Sequence, residues 1–354
     1  MKISNYDNLK KYFLPILITL FLLSLTAGLF AQDTVSIYFL DVGQGDSSII
    51  ITPDDRVVMI DSGTNESLIL SYLQNLGISQ IDLLIATHAH ADHITGMDRI
   101  IARYKPKAFI DPGIPHTTAT YQRVITAIGK YNINYYQGTS RKINLGPLTF
   151  TILPPDNPFL KISELNNNSL VMRLDFKDFS CLFTGDIEKE REGQLLNESR
   201  NNLKVDILKI AHHGSSSSSS PLFIQAVNPE TSIIFCGKGN QYGHPHQETL
   251  ALLQNLGINI YRTDLNGTIL VETNGIDYQI FTEKESIRAP PVVKSETKTS
   301  LSQEYKYAAS KNSEVFHYIS CSYVSSIKSS NLILFKTREE AIASGRRPCK
   351  KCYP

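Results

Sequence analysis

Tryptophan is absent, methionine occurs only four times, and the charged residues nearly cancel to a formal +1 across 354 residues. Without tryptophan, any aromatic cage must be built from Tyr and Phe. The near-zero charge hides an uneven spread. From Lys284 to Pro354 thirteen Lys or Arg stand against six Asp or Glu, a net +7, which leaves −6 for residues 1–283. That asymmetry suits a polyanionic partner for the tail, and a solvated basic surface accounts for it equally well. Long apolar runs are also scarce. The single one, Tyr12 to Phe30, follows Lys2, Lys10 and Lys11 and precedes Ala31-Gln32-Asp33, the pattern of a secretory signal. Its length approaches the ~20 residues that span a bilayer, so an uncleaved anchor is the alternative, with membrane association through this segment. No cysteine lies near Ala31, which excludes a lipoprotein signal, and the lack of further apolar runs excludes a multi-pass channel. An extracytoplasmic location is therefore expected: secreted, periplasmic or anchored to the outer face of the cytoplasmic membrane.

What the chain does have is a dense cluster. His88, His90, Asp92 and His93 lie within six residues, directly after the apolar run Ile81-Asp82-Leu83-Leu84-Ile85. Buried imidazoles need partners, and a metal ion is the partner that serves several at once. If the strand runs on, His88 and His90 point to one side because side chains alternate with period two. Asp92 and His93 come after it, where a turn can offer them to a second ion.

His88-x-His90-x-Asp92-His93 resembles the HxHxDH signature of the metallo-β-lactamase superfamily, which implies an αββα sandwich carrying two divalent ions, Zn²⁺ or Mn²⁺. Asp41-Val42-Gly43-Gln44-Gly45-Asp46-Ser47 narrows this. It resembles the DVGQGDS segment of the ComEC-like branch, the hydrolase-like domain of competence DNA-uptake proteins. Ile60-Asp61-Ser62-Gly63 is similar to the family's IDxG element, in which Asp61 would orient a ligand histidine. Ser180 to Asp186 reads as a strand ending in Gly-Asp, and Asp186 matches the carboxylate that gives one oxygen to each metal. Asn166-Asn167-Asn168-Ser169 stands where many members have a metal-binding histidine, which leaves the first ion a more oxygen-rich shell.

Val205 to Ser215 resembles the LKxxHHGS element. It supplies the last ligand of the second metal, with His212 favoured and His213 as the alternate or a phosphate contact. The serines from Ser215 to Ser220 are expected to form a flexible loop at the mouth of the site. Asn240-Gln241-Tyr242-Gly243-His244-Pro245 is similar to the branch's NxYGHP motif, and His244 could donate a proton to a leaving alkoxide or bind a phosphate oxygen. Tyr261 to Gly267 resembles the closing YRTDxxG segment. The resemblance assigns catalysis to Asp92, Asp186 and His244, and metal binding to His88, His90, Asp92, His93, Asp186, His212 and His213. Asp41, Gln44, Asp46, Asp61, Asn168, Ser169, Ser215 and Asn240 are left to support the ligands or touch substrate.

A Pro-, Ser-, Lys-, Thr- and Glu-rich stretch from 283 to 304 reads as a linker. The last fifty residues are too few for a robust core and need a staple. His317-x3-Cys321 and Cys349-Lys350-Lys351-Cys352 can close a tetrahedral structural zinc site, the alternative being a Cys349–Cys352 disulfide with Cys321 free. Tyr307-Ala308-Ala309-Ser310, Val315-Phe316-His317 and Gly345-Arg346-Arg347-Pro348-Cys349 resemble the zinc-binding domain of the Ada DNA-repair protein. His317 stands where Ada has a first cysteine, which makes methyl transfer to cysteine doubtful. Cys181 and Cys236 sit in apolar strands and read as inert core.

The expected organisation is a signal or anchor over 1–31, an α+β sandwich hydrolase domain over 32–282, a linker over 283–304 and a zinc-stapled α+β module over 305–354. The expected function is an exported metal-dependent phosphodiesterase acting on DNA, most readily single-stranded, with no obligate protein partner. Hydrolysis of another phosphoester such as a phosphorylcholine ester, or of a β-lactam, is one alternative. A non-catalytic nucleic-acid-binding protein is the other.

Overall fold

The computed structural model describes residues 34–199, 203–284 and 305–354, apart from 320, 322, 325, 326, 328–330 and 353. The expected export segment and residues 285–304 of the expected linker lie outside the described residues. Among the described residues, no helix is long and apolar enough to cross a membrane.

The chain first lays down β1 (Val35–Phe39), β2 (Ser48–Ile51), β3 (Val57–Ile60), α1 (Glu66–Asn75), β4 (Leu83–Ile85), α2 (Ala91–Ile94), α3 (Met97–Tyr104), β5 (Ala108–Asp111), α4 (Ala119–Lys130) and β6 (Asn134–Gln137). A second run follows with β7 (Arg141–Leu145), β8 (Leu148–Leu153), α5 (Glu164–Asn167), β9 (Val171–Phe176), β10 (Phe179–Phe183), α6 (Lys189–Ser199), β11 (Ile207–Lys209), α7 (Pro221–Val227), β12 (Thr231–Ile234), α8 (Gln247–Asn255), β13 (Asn259–Arg262) and α9 (Thr263–Asn266). Finally β14 (Ile269–Thr273) and β15 (Tyr278–Thr282) return to the first sheet. That sheet has the order β15-β14-β1-β2-β3-β4-β5-β6, and the second has β13-β12-β11-β10-β9-β8-β7.

Alternation explains how the sheets face each other. In β1 Val35, Ile37 and Phe39 are buried while Ser36 and Tyr38 are not, so one face enters the space between the sheets. There they pack with Phe150, Leu174, Phe183 and Phe235 of the second sheet. The outer faces are covered by helices. Met97, Ile100, Ile101 and Tyr104 form the buried stripe of α3, at helical spacing. Phe223, Ile224, Val227 and Leu253 of α7 and α8 cover the second sheet. The result is the expected α+β four-layer αββα sandwich.

Both sheets have a parallel half, and this positions the site. Ile60 pairs with Ile85 across β3 and β4, and Lys209 pairs with Phe183 and Ile233 across β10, β11 and β12. The strands therefore end level, and the loops at their carboxyl ends meet above the core, where open α/β sheets place ligands. Phe39 lies 5.8 Å from both Phe183 and Phe235, forming an apolar floor beneath those loops.

Two details depart from the sequence reading. The strand before the histidines stops at Ile85, so His88 and His90 sit on a bend and not on a strand. The sandwich also runs two residues past its expected end: Glu283 N–H donates to Thr268 O (2.9 Å) and Lys284 N–H to Asn266 O (3.0 Å). The C-terminal residues form a four-stranded sheet from β16 (Tyr307–Ser310), β17 (Val315–Tyr318), β18 (Leu332–Phe335) and β19 (Arg347–Pro348), in the order β18-β16-β17-β19. Between β18 and β19 lies α10 (Arg338–Ala343), started by a capping box of Thr337 and Glu340.

Candidate metal centre

The bend after β4 delivers His88 and His90, and the first turn of α2 delivers Asp92 and His93. The turn after β10 adds Asp186, and a 3-10 turn over Ala211–Gly214 after β11 adds a further imidazole. Their basic atoms point at one another. His93 Nε2 and His213 Nε2 lie 3.1 and 3.4 Å from Asp186 Oδ2, and His213 Nε2 lies 3.1 Å from Asp92 Oδ2. His88 Nε2 lies 2.9 Å from His90 Nδ1 and 3.9 Å from the same Asp186 oxygen.

These contacts resolve into two ligand groups that share one atom. Asp92, His93, His213 and Asp186 make one, and His88, His90 and Asp186 make the other. Asp186 was expected to offer one oxygen to each metal. Instead Oδ2 faces both groups, while Oδ1, buried and without a hydrogen bond, turns towards Lys209 Nζ at 3.6 Å.

Buried carboxylates brace the first group from behind. Asp61 accepts hydrogen bonds from Thr87 N–H (2.7 Å), Thr87 Oγ1 (2.7 Å) and His93 Nδ1 (2.8 Å), which turns His93 Nε2 inwards. Asp46 Oδ1 stands 3.3 Å from His213 Nδ1, whose other neighbour is Phe235 O at 3.2 Å. Asp46 also lies close enough to His93, Asp186 and His213 to act as a ligand itself, with all four ligand atoms within 4.8 Å. Its position on the Nδ1 side and its ion pair with Lys209 mark it as a brace. Gly45 makes this possible, because a Cβ there would lie 2.2 Å from Asp92 O.

Charge follows the geometry. Burial opposes a proton on His93 and His213, but Asp186 and the neighbouring carboxylates outweigh it and hold both pKa values well above the ordinary histidine range. Asp186 is held well below the carboxylate range: His93 and His213 overcome its burial. Burial, aided by His93, pushes His88 and His90 down, so they are neutral and carry the free lone pair that a metal needs. The donor set of imidazole nitrogens and carboxylate oxygens on buried, converging side chains fits a divalent ion.

The favoured choice of His212 is reversed, and His213 is the residue that faces Asp186. Both histidines have left-handed backbone (φ 49° and 54°), and their rings diverge at 66°. His212 Nδ1 instead meets Glu188 Oε1 and Ser217 Oγ, each at 3.3 Å, away from the cluster. Asn168 is not turned to the metals either. Its amide donates to Leu160 O and Glu164 O and accepts from Leu160 N–H, pinning the segment before β9. Ser169 Oγ accepts the amide of Asp186. Gln44 Oε1 accepts Gly237 N–H, Asn240 clamps the turn that carries His244, and Asp41 pairs with Lys284 outside the cluster.

Nor is the serine run a loose loop. Ser215, Ser218 and Ser219 are buried, Ser219 and Ser220 amides donate to the buried carboxylate of Glu192, and Ser220 caps α7. Ser215 Oγ bonds Ser217 Oγ. His244 packs at 6.1 Å from His213, and burial beside His213 and His212 pushes its pKa down to about 4. It is therefore neutral near pH 7 and can hydrogen-bond a leaving oxygen without holding a proton for it.

Lys209 is the functional residue that motif reading passed over. Only 2% exposed, it donates to Gly185 O (2.8 Å) and pairs with both Asp46 and Asp186. The signal was present: a lysine inside Ile207-Leu208-Lys209-Ile210 can be fully buried only if paired.

In the C-terminal sheet the ligand atoms of His317, Cys321, Cys349 and Cys352 lie within 4.8 Å of one another. Among the described residues the cysteines are unbridged, and the buried Nδ1 of His317 has no hydrogen-bond partner. One nitrogen and three sulfurs at this spacing fit a tetrahedral zinc site.

Three outcomes are expected. Lys209→Met, measured on metal-free protein by denaturant unfolding, lowers stability by about 3–5 kcal/mol, because Asp46 keeps a buried charge without its cation. His213→Ala loses retained metal, read by elemental analysis, whereas His212→Ala keeps it. Because His93 and His213 carry protons before metal binds, binding to wild-type protein releases protons and weakens as pH falls, as titration calorimetry in buffers of different ionisation enthalpy would show.

Residues 40–238 match the Metallo-beta-lactamase superfamily. ComE operon protein 3 of Bacillus subtilis (strain 168) is 35% identical over 250 residues, covering 65% of this chain and 32% of that protein. Recombination protein 2 of Haemophilus influenzae is 30% identical over 260 residues, covering 71% and 31%. Competence protein ComA of Neisseria gonorrhoeae is 26% identical over 245 residues, covering 67% and 32%. The chain spans about a third of the length of these relatives. Ligands at level strand ends, two groups sharing one carboxylate oxygen and a match over more than half the sequence agree: the chain belongs to the metallo-beta-lactamase superfamily, in its ComEC-like branch.

Proposed function

We propose that this metal-dependent hydrolase is a phosphodiesterase that cuts DNA, single-stranded DNA first. The observation that carries the reading is the pair of ligand groups converging on Asp186 Oδ2, since two ions a few ångströms apart suit in-line displacement at phosphorus. Divalent ions bound there, Zn²⁺ or Mn²⁺, would activate water and polarise a phosphoryl oxygen. The chain's own part is orientation. Asp61 and Asp46 fix the rings of His93 and His213, Lys209 holds the far oxygen of Asp186, and His244 offers a neutral imidazole at the mouth.

Nucleic acid as substrate is supported by the relatives named for competence and recombination, and by the +7 charge of the C-terminal residues. In this reading the 305–354 module holds one zinc on His317, Cys321, Cys349 and Cys352, resembles the Ada zinc domain, and retains the polyanion near the site. Export through residues 1–31 would place the reaction outside the cytoplasm, with 285–304 as the tether.

The test uses the full chain with Mn²⁺ or Zn²⁺ on labelled single- and double-stranded DNA. Metal-dependent cleavage is expected, and Asp186→Asn should lower it by roughly a hundredfold or more, beyond the loss from removing a residue that merely braces a ligand. A folded, metal-loaded wild type that cleaves neither DNA would contradict the proposal.

A further inference from the structure

The turn between β12 and α8 carries an aromatic residue that the hydrolytic machinery does not use. We propose that Tyr242 is a stacking platform for an unpaired nucleobase next to the bond that is cut, an inference that rests on the phosphodiesterase reading. Its ring lies 5.7 Å from His244 with 23° between the planes, and His244 lies 6.1 Å from His213 at 27°. Three nearly parallel rings therefore step from solvent to an imidazole of the metal cluster.

Tyr242 is 57% exposed, yet its turn is held on three sides. Asn240 bonds Gly237 O and both the N–H and the O of His244. Gly237 N–H donates to Gln44 Oε1 on the loop that carries Asp46. Pro245 packs so tightly on Gly214 that a Cβ there would come within 2.6 Å of it. His246 and His212 meet His244 edge-on, at 90° and 72°, and so fix the ring beneath Tyr242. An apolar face kept in water on a braced turn, one ring away from the metal ligands, is positioned to receive a flat partner. The exposed Lys238 on the same turn adds a cation for a neighbouring phosphate.

The chemistry selects the ligand class. Every base has a π face, so one ring binds any of them without reading sequence, and a base already stacked in a duplex is not free to move onto it. Single strands are therefore preferred. A quaternary ammonium would also favour a tyrosine face, but its recognition calls for a cage of several rings. Here one face of Tyr242 is taken by His244, which leaves a platform and not a cage.

The test compares wild type, Tyr242→Phe and Tyr242→Leu as full chains, by fluorescence anisotropy with oligothymidylate and with an abasic strand of the same length. Leucine is expected to weaken oligothymidylate binding roughly tenfold. Phenylalanine should keep it, and the abasic strand should bind all three proteins alike. Unchanged binding by the leucine variant, equal loss on the abasic strand, or a defect confined to hydrolysis of glycerophosphocholine would each overturn the proposal. Because the readout is binding, wild type that binds the bases through Tyr242 but cuts no DNA would sink the phosphodiesterase reading and leave the platform standing.

Discussion

Three carboxylates, Asp46, Asp61 and Asp186, are almost wholly buried within one small volume above an apolar floor, and everything around them serves to neutralise them. An uncompensated buried charge costs several kcal/mol, so the arrangement persists only if a cation stands beside each carboxylate. Lys209 supplies one permanently, and His93 and His213 supply two more that a metal can replace. The sheets make the meeting possible. Parallel strands that end level bring loops from β3, β4, β10 and β11 to one edge, and Phe39, Phe183 and Phe235 keep water from entering beneath.

Within that arrangement the two ligand groups are unlike. In the group of Asp92, His93, His213 and Asp186, the rings of His93 and His213 are braced by Asp61 and Asp46. His88 and His90 lack such carboxylates. Nδ1 of His88 meets Thr87 Oγ1 at 3.1 Å, and Asn168, at the position of a third imidazole in other members, is committed to the backbone around Leu160. One group thus offers four protein ligands and the other three.

Much of this could be read from the residues in order. The spacing of His88, His90, Asp92 and His93, the Gly-Asp at 185–186 and Asp61 after a strand all depend on local sequence, and each lies where the motif order puts it. Local sequence likewise bounds α1, because Asn65 caps its start and Gly77, at positive φ, follows its end. What escaped depends on backbone handedness or on partners far along the chain. Nothing in Ala211-His212-His213-Gly214 tells which ring turns inwards until both are known to be left-handed. The serine run looked loose because its anchor, Glu192, lies on another helix. Asp46 and Lys209 are 163 positions apart, so neither motif that contains them reveals that they are a pair.

The most direct test of the central claim is anomalous scattering from crystals of the full chain grown with Zn²⁺ or Mn²⁺. The account requires a peak at about 2.0–2.2 Å from His93 Nε2, His213 Nε2, Asp92 and Asp186 Oδ2, with Lys209 still paired to Asp46. A peak bound by His212, an ion that displaces Lys209 from Asp46, or no peak beside Asp186 would contradict it.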